Sequence, residues 1–156
     1  MEYCHIKTPL RIAHITGDEN GITEISISDE GIASDEIPQV LQEAVSQLKD
    51  YFDKKRTSFD FKINPKGTEF QQRVWQELLN IPYGKTVSYI ELSKKLGDVK
   101  AIRAVASANR RNPLWIVVPC HRVIGSDGSL TGYAGGIWRK QWLLEHENTS
   151  GQQQLF

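Results

Sequence analysis

The chain has 156 residues, 39% of them hydrophobic and 24% charged, with 19 basic side chains against 19 acidic. That length buries a real core, in one domain or in two small ones, and no apolar run approaches the roughly 20 residues that cross a bilayer. No charged-then-apolar leader opens the chain, so a cytoplasmic protein without membrane association is expected, with Cys4 and Cys120 as free thiols.

Charge is unevenly spread. Residues 1–66 carry 8 basic and 12 acidic side chains, and residues 67–156 carry 11 and 7. Within 85–111, Lys85, Lys94, Lys95, Lys100, Arg103, Arg110 and Arg111 face only Glu91 and Asp98. Such an excess suits a phosphate backbone, and it also suits a solvated helical face.

Residues 1–65 read as a mixed α/β module. β-branched or alternating runs on either side of Gly17-Asp18-Glu19-Asn20-Gly21 predict two strands joined by a turn. "PQVLQEAVSQLKDYF" opens with Pro38 in a first-turn position. It places Val40, Leu41, Ala44, Val45, Leu48, Tyr51 and Phe52 on one helical face. "SFDFKI" alternates like a further strand, and "NPKG" at 64–67 marks a boundary.

Residues 66–149 read as mainly helical. "TEFQQRVWQELLNI" has Thr68 as N-cap, Gln71 as its capping-box partner, and Phe70, Val74, Leu78 and Ile81 as an inner stripe. "SYIELSKKLG" is a short helix that Ser88 caps and Gly97 stops. "KAIRAVASANRR" follows, rich in alanine, and ends at Asn112-Pro113. Two short helices around a tight turn predict a helix-turn-helix, a pattern shared with ordinary helical hairpins. Ile116-Val117-Val118 look like a buried strand that runs through Pro119 into Cys120, His121 and Arg122. A last helix, "GGIWRKQWLLEHE", should pack Trp138, Trp142 and Leu143 inward.

A cysteine acts as nucleophile in its thiolate form, which a nearby base or cation favours. In an extended segment the side chains of Cys120 and His121 point to opposite faces, so a bridging water joins them more naturally than a direct bond. His121 then needs an orienting carboxylate, for which Glu145 and Glu147 are the candidates. Inert burial of the cysteine is the competing reading.

"PCHRVIG", "TGYAGG", "KQWLLEHE" and "RAVASANRRNP" together resemble the O6-alkylguanine-DNA alkyltransferases, most strongly from Gly67 to about Glu147. The resemblance implies a ribonuclease-H-like N-terminal module and a helical C-terminal domain whose helix-turn-helix binds double-stranded DNA through the minor groove. It implies an irreversible, single-turnover transfer of an alkyl group from O6-alkylguanine, and in some cases O4-alkylthymine, to Cys120 after base flipping. His121 resembles the base, Glu147 the carboxylate that orients it, and Asn112 the asparagine that ties the recognition element to the active-site segment. Tyr89 resembles the tyrosine that helps flip the nucleotide and contacts guanine N3. Arg103 resembles the residue that fills the vacated stack, on a helix whose Ala101, Ala104, Ser107 and Arg110 face DNA. Tyr133, Ala134, Asn109 and Val123 resemble the alkyl pocket. Two positions depart from the pattern: Ala134 stands where some relatives carry Ser, and Asn109 is polar where some have an apolar wall.

A small-sided helix suits a narrow groove, and a base in a duplex must be extruded before a buried thiol can reach it. No cofactor is implied. Cys4, His5 and His14 lie close in sequence but fall short of the four ligands of a structural zinc site, so no metal is expected. The tail, 150–156, is expected to be disordered and ends in "QQQLF". Gln152, Leu155 and Phe156 match the bacterial sliding-clamp-binding pentapeptide; the alternative is that the apolar pair folds back on its own surface. The chain is expected to be a monomer. A lesion-binding module that recruits repair factors without alkyl transfer is the alternative function, and Cys120 argues against it.

Overall fold

The computed structural model describes residues 1–148, and the chain divides into two compact units. The first comprises 1–66 with 113–117, and the second 67–112 with the chain from 118 onward.

In the first unit, β1 (Glu2–Thr8), β2 (Arg11–Asp18) and β3 (Gly21–Ser28) form an antiparallel sheet in that order. Alternation sends Cys4, Ile6, Ala13, Ile15, Ile25 and Ile27 to the buried face. The sequence reading has the strands around 17–21 but lacks β1. The chain then makes a 3-10 turn, Gln39–Leu41, behind Pro38 and enters α1 (Gln42–Phe52). Ala44, Val45, Leu48 and Tyr51 of α1 are buried, and the helix packs on β1.

Two strand expectations fail here. The stretch 58–63 contributes only a single bridge, Ile63 to Ile22. Residues 116–118 form no strand, because Ile116 adopts a φ of 75°, a region a β-branched residue rarely enters and a strand cannot pass through. Residues 113–117, read from sequence as part of the second domain, pack with the first unit. Ile25 N–H donates to Pro113 O at 2.8 Å, Trp115 N–H donates to Ile25 O at 3.0 Å, and Leu114 is fully buried.

The second unit opens with α2 (Glu69–Leu78), held by the Thr68–Gln71 capping box. Its stripe buries Val74 and Leu78, and Trp75 Nε1 donates to Ala108 O at 2.9 Å. α3 (Tyr89–Lys95) starts from a second capping box, Ser88 with Glu91. Gly97, at φ 89°, lets the chain turn where a Cβ would be strained. A 3-10 turn, Val99–Ala101, capped by Asp98, leads into α4 (Ile102–Arg110), which packs on α2 and α3. The short strands β4 (Val87–Ser88) and β5 (Val123–Ile124) pair in parallel. α5 (Ile137–His146) buries Leu143 and Leu144, while Trp138 is 43% exposed and Trp142 only partly buried, against the expected inward packing of both. No helix among the described residues is long and apolar enough to cross a membrane.

Candidate active site

Pro119 leads into a 3-10 turn, Cys120–Arg122, and not into the extended segment expected from the sequence. The turn and α5 bury Cys120, His121, Arg122 and Glu147, at 4%, 0%, 6% and 1% exposure.

His121 Nε2 lies 2.8 Å from Glu147 Oε2. Arg122 binds the same carboxylate through Nε to Oε1 at 2.7 Å and through Nη2 to Oε2 at 3.0 Å, and its Nη1 donates to Ile81 O at 2.7 Å. Of the two candidate carboxylates, Glu147 faces the histidine, whereas Glu145 is exposed and accepts from Gln141. Glu147 follows the last residue of α5, where the helix dipole disfavours an anion. Burial pushes its carboxyl pKa up, but the contacts of His121 and Arg122 outweigh burial and hold it well below the usual carboxylate range.

Burial lowers the His121 pKa, and Glu147 offsets this only in part. The ring is therefore a neutral imidazole near pH 7. A carboxylate only accepts, so Nε2 carries the proton and Nδ1 is the free acceptor. Nδ1 is buried and makes no hydrogen bond within the described residues. Among the described residues no side-chain hydrogen bond joins Cys120 to His121.

The Cys120 thiol is pushed up to about 11, first by burial, while a hydrogen bond from Asn112 and the charge of Lys140 pull it back in part. At neutral pH the thiol is therefore protonated. The resting site therefore holds a protected thiol, and any nucleophile must be generated during the reaction.

The C-terminal end of α4 grips this segment. Asn112 Nδ2 donates to Val118 O at 2.7 Å, and Asn109 Nδ2 lies 3.4 Å from Cys120 O. Beside it opens a cavity of about 340 Å³, lined by Tyr89, Ile102, Arg103, Ala106, Arg110, Thr131 and Gly132. Tyr89 Oη donates to Thr131 O at 3.0 Å, and burial, then the proximity of Cys120, raises its pKa. Tyr133 is buried and its pKa lies well above the usual phenol value, again from burial first and Cys120 second.

The structure thus brings Cys120, His121 and Glu147 together, with Asn112, Asn109 and Tyr89 around them, and sets Arg103 and Arg110 on the cavity wall. Val123 is fully buried in β5. Ala104, Ser107 and Ala134 are exposed, Ala101 is partly so, and none of the four lines the cavity. In the first unit His5 Nε2 and His14 Nδ1 lie 3.0 Å apart on paired strands. Cys4 is on the opposite, buried face, and no group of three or more His, Cys, Asp or Glu suited to a metal occurs among the described residues.

Sequence reasoning missed the clamp of Arg122 on Glu147 and missed Lys140 altogether. A signal for Lys140 exists. Lys140, Leu143, Leu144 and Glu147 stand at i, i+3, i+4 and i+7, so two charges occupy the ends of an apolar stripe.

Comparison with known proteins shows the family. Residues 1–65 match the family model of the 6-O-methylguanine DNA methyltransferase ribonuclease-like domain, and residues 69–149 that of its DNA-binding domain. The methylated-DNA–protein-cysteine methyltransferase of Methanosarcina acetivorans is 43% identical over 158 residues, covering 96% of this chain and 99% of the relative. That of Mycobacterium leprae is 58% identical over 105 residues, covering 67% and 64%. The Mycobacterium tuberculosis OGT, solved in complex with DNA, superposes with a TM-score of 0.87 at 43% identity, covering 96% of this chain and 94% of that one. The chain belongs to the 6-O-methylguanine DNA methyltransferase family.

Proposed function

We infer that this chain repairs alkylated DNA by direct reversal, moving a methyl or other alkyl group from O6-alkylguanine irreversibly to its own Cys120. O4-alkylthymine is a second candidate substrate. The observation that carries the reading is a buried thiol beside a neutral His121, whose free nitrogen is set by a carboxylate clamped between His121 and Arg122. Membership of a family whose M. tuberculosis member is solved in complex with DNA supports it.

In this reading α3 and α4 form a helix-turn-helix that enters the minor groove. Ala101, Ala104 and Ser107 let the backbone come close, Arg110 meets phosphate, and Arg103 takes the place of the extruded nucleotide. The Cys120 proton passes through a water to His121 Nδ1. Sγ attacks the alkyl carbon, the S–C bond forms, and the C–O6 bond breaks with its electron pair going to the guanine. Tyr89, which burial keeps protonated at rest, donates toward guanine N3 as that charge develops. Asn112 holds the Cys120 segment against α4, and Tyr133, Ala134, Asn109 and Val123 bound the alkyl group. The product is a stable thioether.

Residues 149–156 lie outside the described residues, and the expectation of a disordered tail falls there. The motif of Gln152, Leu155 and Phe156 supports binding to a bacterial sliding clamp, with the protein acting as a cytoplasmic monomer on DNA. Deleting Leu155 and Phe156 should abolish clamp binding. Equal binding, or none, in both forms contradicts that part.

Titrating the protein against a duplex with one O6-methylguanine tests the main reading. Restored guanine should rise one for one with protein and then stop. Continued turnover beyond one equivalent, or no restoration, overturns it.

A further inference from the structure

The mechanism leaves one buried amide without a role for its polar atoms. Asn109 is 2% exposed, and its Oδ1 is buried and makes no hydrogen bond within the described residues. A buried carbonyl without a donor is costly, and an apolar side chain of similar shape in its place often leaves stability intact. Cys120 O can only accept, so the amide presents Nδ2 to it, at 3.4 Å. Cys120 O does not depend on that contact, because it already accepts from Val123 N–H. The reason for an amide at this position lies in what its N–H groups reach.

Ile102, Ala106 and Asn109 stand at i, i+4 and i+7 on α4, along one stripe of the helix. Ile102 and Ala106 line the cavity, so the stripe leads from the cavity wall to the Cys120 turn, with Asn109 at its inner end. There the Asn109 amide hydrogen-bonds the hydroxyl of Tyr89, another residue of the cavity wall. Tyr89 Oη gives its own hydrogen to Thr131 O, so the amide donates and the phenol oxygen accepts. This bond favours negative charge on Oη and pulls the phenol pKa down against the larger effect of burial. One planar amide thus joins the backbone of the nucleophile to the phenol through its two N–H hydrogens.

We propose that Asn109 is a positioning residue that acts through Tyr89: Cys120 O fixes the amide, and its second N–H steadies Tyr89 Oη while the phenol supports the departing guanine. The proposal rests on the reading of this chain as an alkyl-transfer protein and goes beyond the place of Asn109 beside the alkyl group. When the flipped base arrives, the Tyr89 hydrogen turns from Thr131 O to guanine N3, while the Asn109 N–H stays on Oη. As the C–O6 bond breaks and its electron pair enters the ring, the Oη hydrogen is drawn toward N3 and negative charge gathers on Oη. The bond from Asn109 then becomes charge-assisted, roughly twice as strong as a neutral one. An interaction that strengthens only as the reaction proceeds lowers the barrier without tightening substrate binding. Neither Cys120 O nor Tyr89 Oη needs the amide at rest, since each has another partner.

A double-variant cycle in the full chain separates this role from packing. Asn109→Leu removes both N–H donors and keeps the bulk, and Asn109→Ala is a second form without donors. Each is made alone and together with Tyr89→Phe, and thermal melting identifies the folded proteins. Single-turnover methyl transfer is followed on a duplex with one O6-methylguanine, and lesion affinity is measured in a Cys120→Ser background. With Tyr89 present, the folded Asn109 variants should bind the lesion within about threefold of the parent. They should react roughly tenfold more slowly or worse, the worth of one hydrogen bond to a charged group. With Tyr89→Phe, the same substitutions should change the rate by no more than about twofold, because the group they act through is gone. Equal losses in both backgrounds overturn the proposal, because a purely structural role behaves that way. So does a parental rate in either folded variant, or a loss of affinity as large as the loss of rate. If neither variant folds, the amide is a structural requirement and the proposal falls as well. The parent protein runs in parallel, so a failure of the functional reading would show as no transfer from the parent itself.

Discussion

His121 Nε2 and Glu147 Oε2 meet at 2.8 Å with both side chains buried, and the same carboxylate takes two hydrogen bonds from Arg122. One residue at the end of α5 therefore sets the tautomer of the histidine and neutralises a buried guanidinium.

Glu147→Gln breaks both functions. An amide cannot balance Arg122, and leaving a buried charge unpaired costs about 3–5 kcal/mol. An amide also fixes the His121 proton poorly, so methyl transfer should slow by roughly 10²–10⁴-fold. Denaturant unfolding and single-turnover kinetics read the two effects separately. Parental stability in this variant would contradict the clamp.

Acid stability follows from the same pair. The folded-state pKa of His121 lies below its ordinary 6.5, and that of Glu147 below its ordinary 4.5. In both cases the unfolded chain takes up a proton that the folded protein refuses. Stability is therefore full above about pH 6.5, declines as His121 of the unfolded chain protonates, and declines further below about 4.5. Unfolding midpoints at pH 7.5, 5.5 and 3.5 should fall in that order, with a smaller drop between the last two in Glu147→Gln. An identical drop in both proteins would remove Glu147 from the explanation.

Much of this site is legible in the sequence where chemistry is local. The capping boxes of Thr68 with Gln71 and Ser88 with Glu91 announce α2 and α3 because the partners are three residues apart. Asn112, Cys120 and Glu147 stand in quotable motifs. What was not legible depends on neighbours distant in sequence. Ile116 looks like a strand residue by side chain but adopts a left-handed φ. Leu114 belongs to the first unit through its pairing with Ile25, nearly 90 residues away. Lys140 looks like an exposed lysine until Val123 and Thr131 close around it.

The raised Cys120 pKa makes a chemical prediction. Without DNA, a small alkylating reagent such as iodoacetamide should modify the Cys120 peptide at neutral pH at least 10²-fold more slowly than free cysteine, with the rate still rising at pH 10. A rate equal to free cysteine, or a plateau by pH 8, would mean a resting thiolate and would contradict the buried-thiol account.

Gly132 has a φ of 74°, and a Cβ there would stand 3.1 Å from Tyr89 Oη. Gly132→Ala should cost about 1 kcal/mol of backbone strain and slow transfer through Tyr89. Melting temperature and single-turnover rate both test this, and parental values for both would show that the loop yields without consequence.

Arg103 is exposed on the cavity wall, so Arg103→Ala should change stability by no more than about 0.5 kcal/mol. Transfer from duplex DNA should drop at least tenfold, while transfer from the free O6-methylguanine base, which needs no flipping, should stay within about threefold. Equal losses on both substrates would assign Arg103 to the chemistry and not to extrusion.

The central claim is that Cys120 takes the alkyl group. The most direct measurement is the mass of the intact protein and of its peptides after incubation with a duplex carrying one O6-methylguanine. The account predicts a gain of one methylene unit on the peptide containing Cys120, stoichiometric with restored guanine and absent in Cys120→Ser. Tight binding to the lesion with the Cys120 peptide unchanged in mass would contradict it and leave a protein that recognises damage without repairing it.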